Sequence, residues 1–263
     1  MKSIEKFGFS YERKEIANQI KESRRAEKEN SAETYKFHRT GKEELYIMGG
    51  MRHLFDYIRT LPSHKILDVG TGTGNATHMV SQMPIAANLD FEVTALHMAP
   101  ELTNNFLKDK IHITGVETLR GIKDRSLAAV IGLNSLAYSI NPWLAAQRLD
   151  KVLISGGIVK ATFCALGRSE YYNGLTFQDP EDFIMAFTDL DYDIFFTGNE
   201  YYESVGRGSM IKGPYAGSIL LAIKPGNPDA PKAEELLNSD LQEIRLEKLR
   251  DQDDIPVFDL QEG

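Results

Sequence analysis

Apolar positions along this chain follow two rhythms, and the alternation between them predicts an architecture. From Glu43 to Leu61 the residues Leu45, Met48, Met51, Leu54, Phe55 and Ile58 return every three or four places, the stripe of an amphipathic helix. It is interrupted at Gly49-Gly50 and closed by Leu61-Pro62-Ser63. Short apolar runs then take over: Ile66 to Val69, Phe91 to Leu96, Ile111 to Val116, Leu127 to Leu133 and Ile158 to Phe163. The run Leu127-Ala-Ala-Val-Ile-Gly-Leu133 is the most uniformly apolar and reads as a central strand, buried on both faces. Helical stretches separate most of these runs, over 76–83, over 100–108 with Pro at its first turn, and over 142–153 before Gly156-Gly157. Strands alternating with helices at this spacing specify a parallel sheet with right-handed crossovers and both faces covered.

Past Phe163 the rhythm changes. Residues 166–178 read as an irregular excursion, and Asp179-Pro-Glu starts a helix running to about Leu190. Tyr192 to Tyr202 and Ser218 to Ile223 are two strands with a Gly-rich stretch between them, which suits an antiparallel pair at the sheet edge. In the tail, Leu237, Leu241 and Ile244 sit at helical spacing. The expected fold is α/β: a doubly wound, Rossmann-like, seven-stranded sheet, mostly parallel with an antiparallel edge hairpin, in three αβα layers. The expected division is a helical N-terminal arm or lid over 1–60, a core over 61–225, and an acidic C-terminal tail over 226–263 that packs on the core.

Composition narrows the function more than the fold. No apolar run approaches the roughly 20 residues of a membrane helix, and the N-terminus lacks the apolar region of a secretory signal, so the expected location is the cytoplasm. The single cysteine, Cys164, excludes an internal disulfide and argues against a cysteine-based metal site. A formal charge of -8 argues against non-specific grip on nucleic acid. That charge is uneven: residues 1–43 hold 11 Lys/Arg against 8 Asp/Glu, and residues 226–263 hold 4 against 11. The two ends are either solvated faces or arms that lean on each other or on a charged partner, a homodimer through the arms included.

The candidate chemistry lies at Lys65-Ile-Leu-Asp-Val-Gly-Thr-Gly-Thr-Gly-Asn-Ala-Thr77. Gly70, Gly72 and Gly74 follow the first strand at every second place, where the chain must turn sharply and feed a helix. Backbone N–H groups there favour a negative or hydrogen-bond-accepting group. In an open α/β sheet such a loop falls at the ligand-binding switch point. A dinucleotide fingerprint needs Gly-x-Gly-x-x-Gly, but the sixth position counted from Gly70 is Asn75. Counted from Asp68 the pattern is Asp-x-Gly-x-Gly-x-Gly. Here the chain resembles the class I S-adenosylmethionine-dependent methyltransferases, closely over 65–163 and more loosely over 179–224.

The resemblance implies a residue map. Asp68 would orient the ammonium of the cofactor's methionine part, and Gly70, Thr71, Gly72 and Gly74 would admit its backbone-hugging portions. His97-Met-Ala-Pro-Glu-Leu resembles the segment after strand two: His97 stands where the family has an acidic residue on the ribose hydroxyls, and Met98 would pack on the adenine. Glu117 would meet the adenine amino group. Asn134 follows strand four, where it would touch cofactor or acceptor; Tyr138 is either an acceptor contact or loop packing. Tyr171 and Tyr172 in the excursion offer flat apolar faces with polar tips to an organic substrate, or pack on the sheet edge. No general base and no metal ligand stand out. The resemblance thus implies S-adenosylmethionine as cofactor, S-adenosylhomocysteine as product, and methyl transfer to a small or medium organic acceptor. The alternative is a methyltransferase-like binding or regulatory protein without turnover.

Overall fold

The computed structural model describes residues 51–72, 74–95, 108–133, 135–163, 180–197 and 218–242. These form one seven-stranded sheet: β1 (Lys65–Asp68), β2 (Asp90–Ala95), β3 (Ile111–Ile113), β4 (Leu127–Leu133), β5 (Leu153–Phe163), β6 (Asp193–Thr197) and β7 (Ser218–Ile223). Their order across the sheet is β3-β2-β1-β4-β5-β7-β6. Strands β1 to β5 run parallel, while β7 lies antiparallel between β5 and β6. The expected fold class, antiparallel edge pair included, is what forms.

Two apolar layers sandwich the sheet. On one face lie α1 (Arg52–Thr60), α2 (Asn75–Ser81) and a helix over 233–242. Leu54, Phe55 and Ile58 of α1 pack there with Val80, Ile66, Val93, Ile131 and Leu237. On the other face α3 (Pro142–Val152) and α4 (Pro180–Thr188) bury Ala145, Leu149, Phe183 and Phe187 against Leu67, Val130 and Val159. Full burial of each large side chain contributes about 1.5–3 kcal/mol, so these two layers supply most of the driving force.

Local chemistry places the boundaries. Helix α3 starts where Asn141 Oδ1 accepts the Leu144 N–H at 3.0 Å and Pro142 takes the first helical position. β3 is shorter than the run Ile111 to Val116 predicts. At Thr114 the chain leaves the sheet, because the Thr114 hydroxyl accepts the Arg120 N–H at 2.8 Å and forms a turn. β5 is longer than predicted, starting at Leu153 rather than Ile158. Gly156-Gly157 lies inside it as an irregularity in register opposite Leu127/Ala129, with Gly156 at φ +74°. The predicted tail helix is present over 233–242, with Leu237 and Leu241 buried. The predicted helix over 100–108, apart from Lys108 at its edge, the excursion over 166–178 and residues 1–50 of the 1–60 arm lie outside the described residues. No described helix is long and apolar enough to cross a membrane.

Candidate functional site

The strand order reverses between β1 and β4, since the chain runs outward from β1 to β2 and β3 and then returns to β4 on its other side. The crevice at the carboxyl ends of these two strands is therefore the switch point. Asp68 closes β1 there, 4% exposed and paired in register with Ile131 of β4 and Val93 of β2. Its Oδ2 accepts the hydroxyl proton of Thr77 from α2, and Thr77 Oγ1 lies 3.2 Å from Thr71 Oγ1. Among the described residues no cation pairs with it. Burial lifts its pKa from 3.8 to about 6, and the hydroxyls of Thr77 and Thr71 only partly oppose the rise.

Gly70, Gly72 and Gly74 all adopt positive φ, at +68°, +61° and +76°, the region a side chain disfavours. The loop's hydrogen bonds differ from the sequence expectation. The N–H of Gly70 donates to Thr94 Oγ1 at 3.1 Å and that of Thr71 to the Thr94 carbonyl at 3.0 Å. These two donors hold the loop to β2 and do not face a ligand. A Cβ on Gly70 would stand 2.7 Å from Ser135 Cβ, so this glycine makes room for the turn after β4. A Cβ on Gly132 would meet Leu136 Cγ at 2.9 Å, so the same turn also needs a bare end to β4.

That turn, with a 3₁₀ segment at Leu136–Tyr138, carries polar groups of its own. The hydroxyls of Ser135 and Ser139 are buried and have no hydrogen-bond partner among the described residues. Tyr138 is 44% exposed at its rim. Glu117, expected to reach toward a ligand, is 7% exposed; its Oε1 accepts the Ile140 N–H at 2.6 Å. Burial raises its pKa, while backbone hydrogen bonds, including one from Asn141, work the other way. It thus fixes the turn at its junction with α3.

The structure brings Asp68, Gly70, Thr71, Gly72, Gly74, Glu117 and Tyr138 to the carboxyl end of the sheet. His97, Met98, Asn134, Tyr171 and Tyr172 lie outside the described residues. Sequence reasoning passed over Thr94, which accepts both loop N–H bonds, and Thr77, which supports Asp68. The available signal was a hydroxyl residue inside an otherwise apolar strand run, Phe91-Glu-Val-Thr-Ala, and another one turn into the next helix.

No family model and no curated protein matches the sequence. Among solved structures, DesVI of Streptomyces venezuelae aligns at 13% identity with a TM-score of 0.50, over 74% of this chain and 98% of that one. A geranyl diphosphate C-methyltransferase from Streptomyces coelicolor, determined with Mg2+, geranyl diphosphate and S-adenosyl-L-homocysteine, aligns at 12% identity and 0.49, over 68% and 80%. The CurJ carbon methyltransferase aligns at 13% and 0.48 over 66% of this chain, which spans about half, 52%, of that one. At such identities the likeness is one of fold. The chain has the Rossmann-like, seven-stranded fold of the class I S-adenosylmethionine-dependent methyltransferases.

Proposed function

We propose that this protein binds S-adenosylmethionine and transfers its methyl group to a small or medium organic acceptor. One observation carries the reading: Asp68, a buried carboxylate at the switch point, has hydroxyl partners and no described cation. A buried charge is costly until paired. A cofactor with an ammonium group and several hydrogen-bonding atoms fits such a place, and the hydroxyls of Ser135 and Ser139, without a partner among the described residues, add polar capacity beside it. Asp68 would hold the ammonium, the turn at Gly72 would take the backbone-hugging portion, and the 135–139 turn would face the reacting end.

Bound S-adenosylmethionine supplies a methyl group already activated on a sulfonium. The work left to the chain is to align the acceptor in line with the methyl and to keep water out. A base is required only for an acceptor that arrives protonated. Tyr138, exposed beside the turn, and Tyr171 and Tyr172 are our candidates for acceptor contacts, with His97 and Met98 for the ribose and adenine. The rival reading, a cofactor-binding protein without turnover, is motivated by the imidazole of His97 where this family carries a carboxylate. It shares the binding prediction and differs in the outcome of a methylation assay.

The test is calorimetric titration with S-adenosylmethionine, S-adenosylhomocysteine and NAD. Micromolar binding of the first two, lost in Gly72→Arg, supports the proposal; heat with neither sinks it. Binding with no product from a broad acceptor panel, together with a gain in affinity for His97→Asp, would favour the non-catalytic reading.

A further inference from the structure

Helix α1 begins without a cap of its own. Met51 occupies the N-cap position with no side-chain hydrogen bond, and the first turn contains no acidic residue. The acceptor comes from 187 residues away: Asp240 Oδ1 takes the His53 N–H at 2.9 Å. His53 is the second helical residue, and its N–H is one that a helix cannot satisfy internally. The other oxygen, Oδ2, stands 3.5 Å from Lys160 Nζ, with the two side chains 1% and 4% exposed. Burial and the two charges oppose each other at both groups, raising Asp240 and lowering Lys160.

The position of Lys160 ties this contact to the site. Lys160 of β5 is in register with Ile131 of β4, which is in register with Asp68 of β1. Laterally paired residues share a face, so Lys160 and Asp68 point into the same layer from strands about 10 Å apart. Residues 233–242 lie on that layer through Leu236, Leu237 and Leu241. Apolar contact alone would hold such a helix on the sheet. A buried charge pair adds little stability over apolar replacements of similar volume, and its best-attested use is to fix register.

We propose that Asp240 is a positioning residue: the helix over 233–242 is a strap that caps α1 from outside and pins its first turn to β5 at the level of Asp68. The first turn of α1 is thereby held at the carboxyl end of the sheet, beside the layer that Asp68 faces. Its consequence for ligand affinity rests on the methyltransferase reading; the capping itself does not.

Two double variants separate the cap from the ion pair. K160M/D240N and K160M/D240L both remove the charges, and only the first keeps an oxygen for the His53 N–H. Amide hydrogen exchange over residues 52–56 should stay near wild type in K160M/D240N and speed up about tenfold in K160M/D240L. S-adenosylhomocysteine affinity should fall several-fold in the leucine variant and recover with asparagine. Equal exchange in the two variants overturns the proposal, whereas absence of binding by wild type overturns only the methyltransferase reading. Wild-type exchange provides a check independent of either variant folding. A His53 amide as protected as those in the middle of α1 supports the strap, and one exchanging at the free rate contradicts it.

Discussion

The amino and carboxyl ends of the sheet are built from the same strands and treat polar groups in opposite ways. At the amino end, Lys65 bonds Glu92 at 2.7 Å, Glu92 bonds His112 at 3.0 Å, and Lys110 pairs with Asp90. Lys224 reaches Asp150 at 3.0 Å and the Leu153 carbonyl at 3.1 Å, and the Tyr57 hydroxyl donates to the Gly156 carbonyl at 2.9 Å. There His112, ahead of Lys65, holds Glu92 at about 2, below its ordinary 4.5. At the carboxyl end, Asp68 sits near 6 with hydroxyl support, and the Ser135 and Ser139 hydroxyls have no partner among the described residues. Among the described residues, polar groups are thus partnered at one end and left with spare capacity at the other, the division that the proposed ligand site requires.

The contrast can be broken most forcefully at Gly70. Gly70→Ala places a methyl carbon against Ser135 in a left-handed backbone. It should lower stability by about 2–3 kcal/mol in urea unfolding. Adding Ser135→Gly should recover the clash and leave the backbone cost of about 1 kcal/mol; no recovery would show that Gly70 does not seat this turn. Glu117→Ala should follow, at about 2 kcal/mol, since it leaves the buried Ile140 N–H without its acceptor. A loss under half that figure would mean the carboxylate is free for other work.

Asp68→Asn should act in the opposite direction. A folded value near 6 against an ordinary 3.8 means that the folded chain holds this proton more tightly than the unfolded one. The native state therefore loses stability as pH rises between those values, by about 3 kcal/mol at most, and stays level above. Ligand-free D68N should thus be the more stable protein at pH 7.5, by about 1–2 kcal/mol, and its stability should fall less than that of wild type between pH 4 and 6. Glu92→Gln at the other end should cost under about 1 kcal/mol, because Lys65 and His112 are both partly exposed, and the loss should shrink in high salt. Its depressed pKa gives a contribution that is present above pH 4.5 and lost as pH falls toward about 2.

Most of the sheet was legible because burial leaves a periodic mark. Leu127 to Leu133 has an apolar side chain or glycine at every place and is β4 to the residue. The misjudged boundaries, the end of β3 and the start of β5, turn on one threonine hydroxyl and one irregularity in pairing, neither of which alters hydropathy. At the candidate site, the sharp turn at the glycines and the place of Asp68 at the end of β1 were legible from spacing. The partners of the loop were not: the bonds from Gly70 and Thr71 to Thr94 cross from the loop after β1 to β2 and exist only once the two strands lie side by side. For Glu117 the family resemblance implied a contact with the adenine, and the fold adds a partner that the sequence does not display, the Ile140 N–H at its Oε1.

The central claim is that Asp68 is a carboxylate kept for a cationic group of the ligand. A cation beside it must lower its pKa, and by linkage the ligand must then bind more tightly as pH rises through about 6. Calorimetric titration of wild type and D68N with S-adenosylhomocysteine from pH 5 to 7.5 tests this directly. The account predicts about a tenfold gain in wild-type affinity across that range, with D68N weaker than wild type at pH 7.5 and its own affinity flat across the range. Wild-type affinity that is independent of pH, or D68N binding as tightly as wild type at pH 7.5, would contradict it.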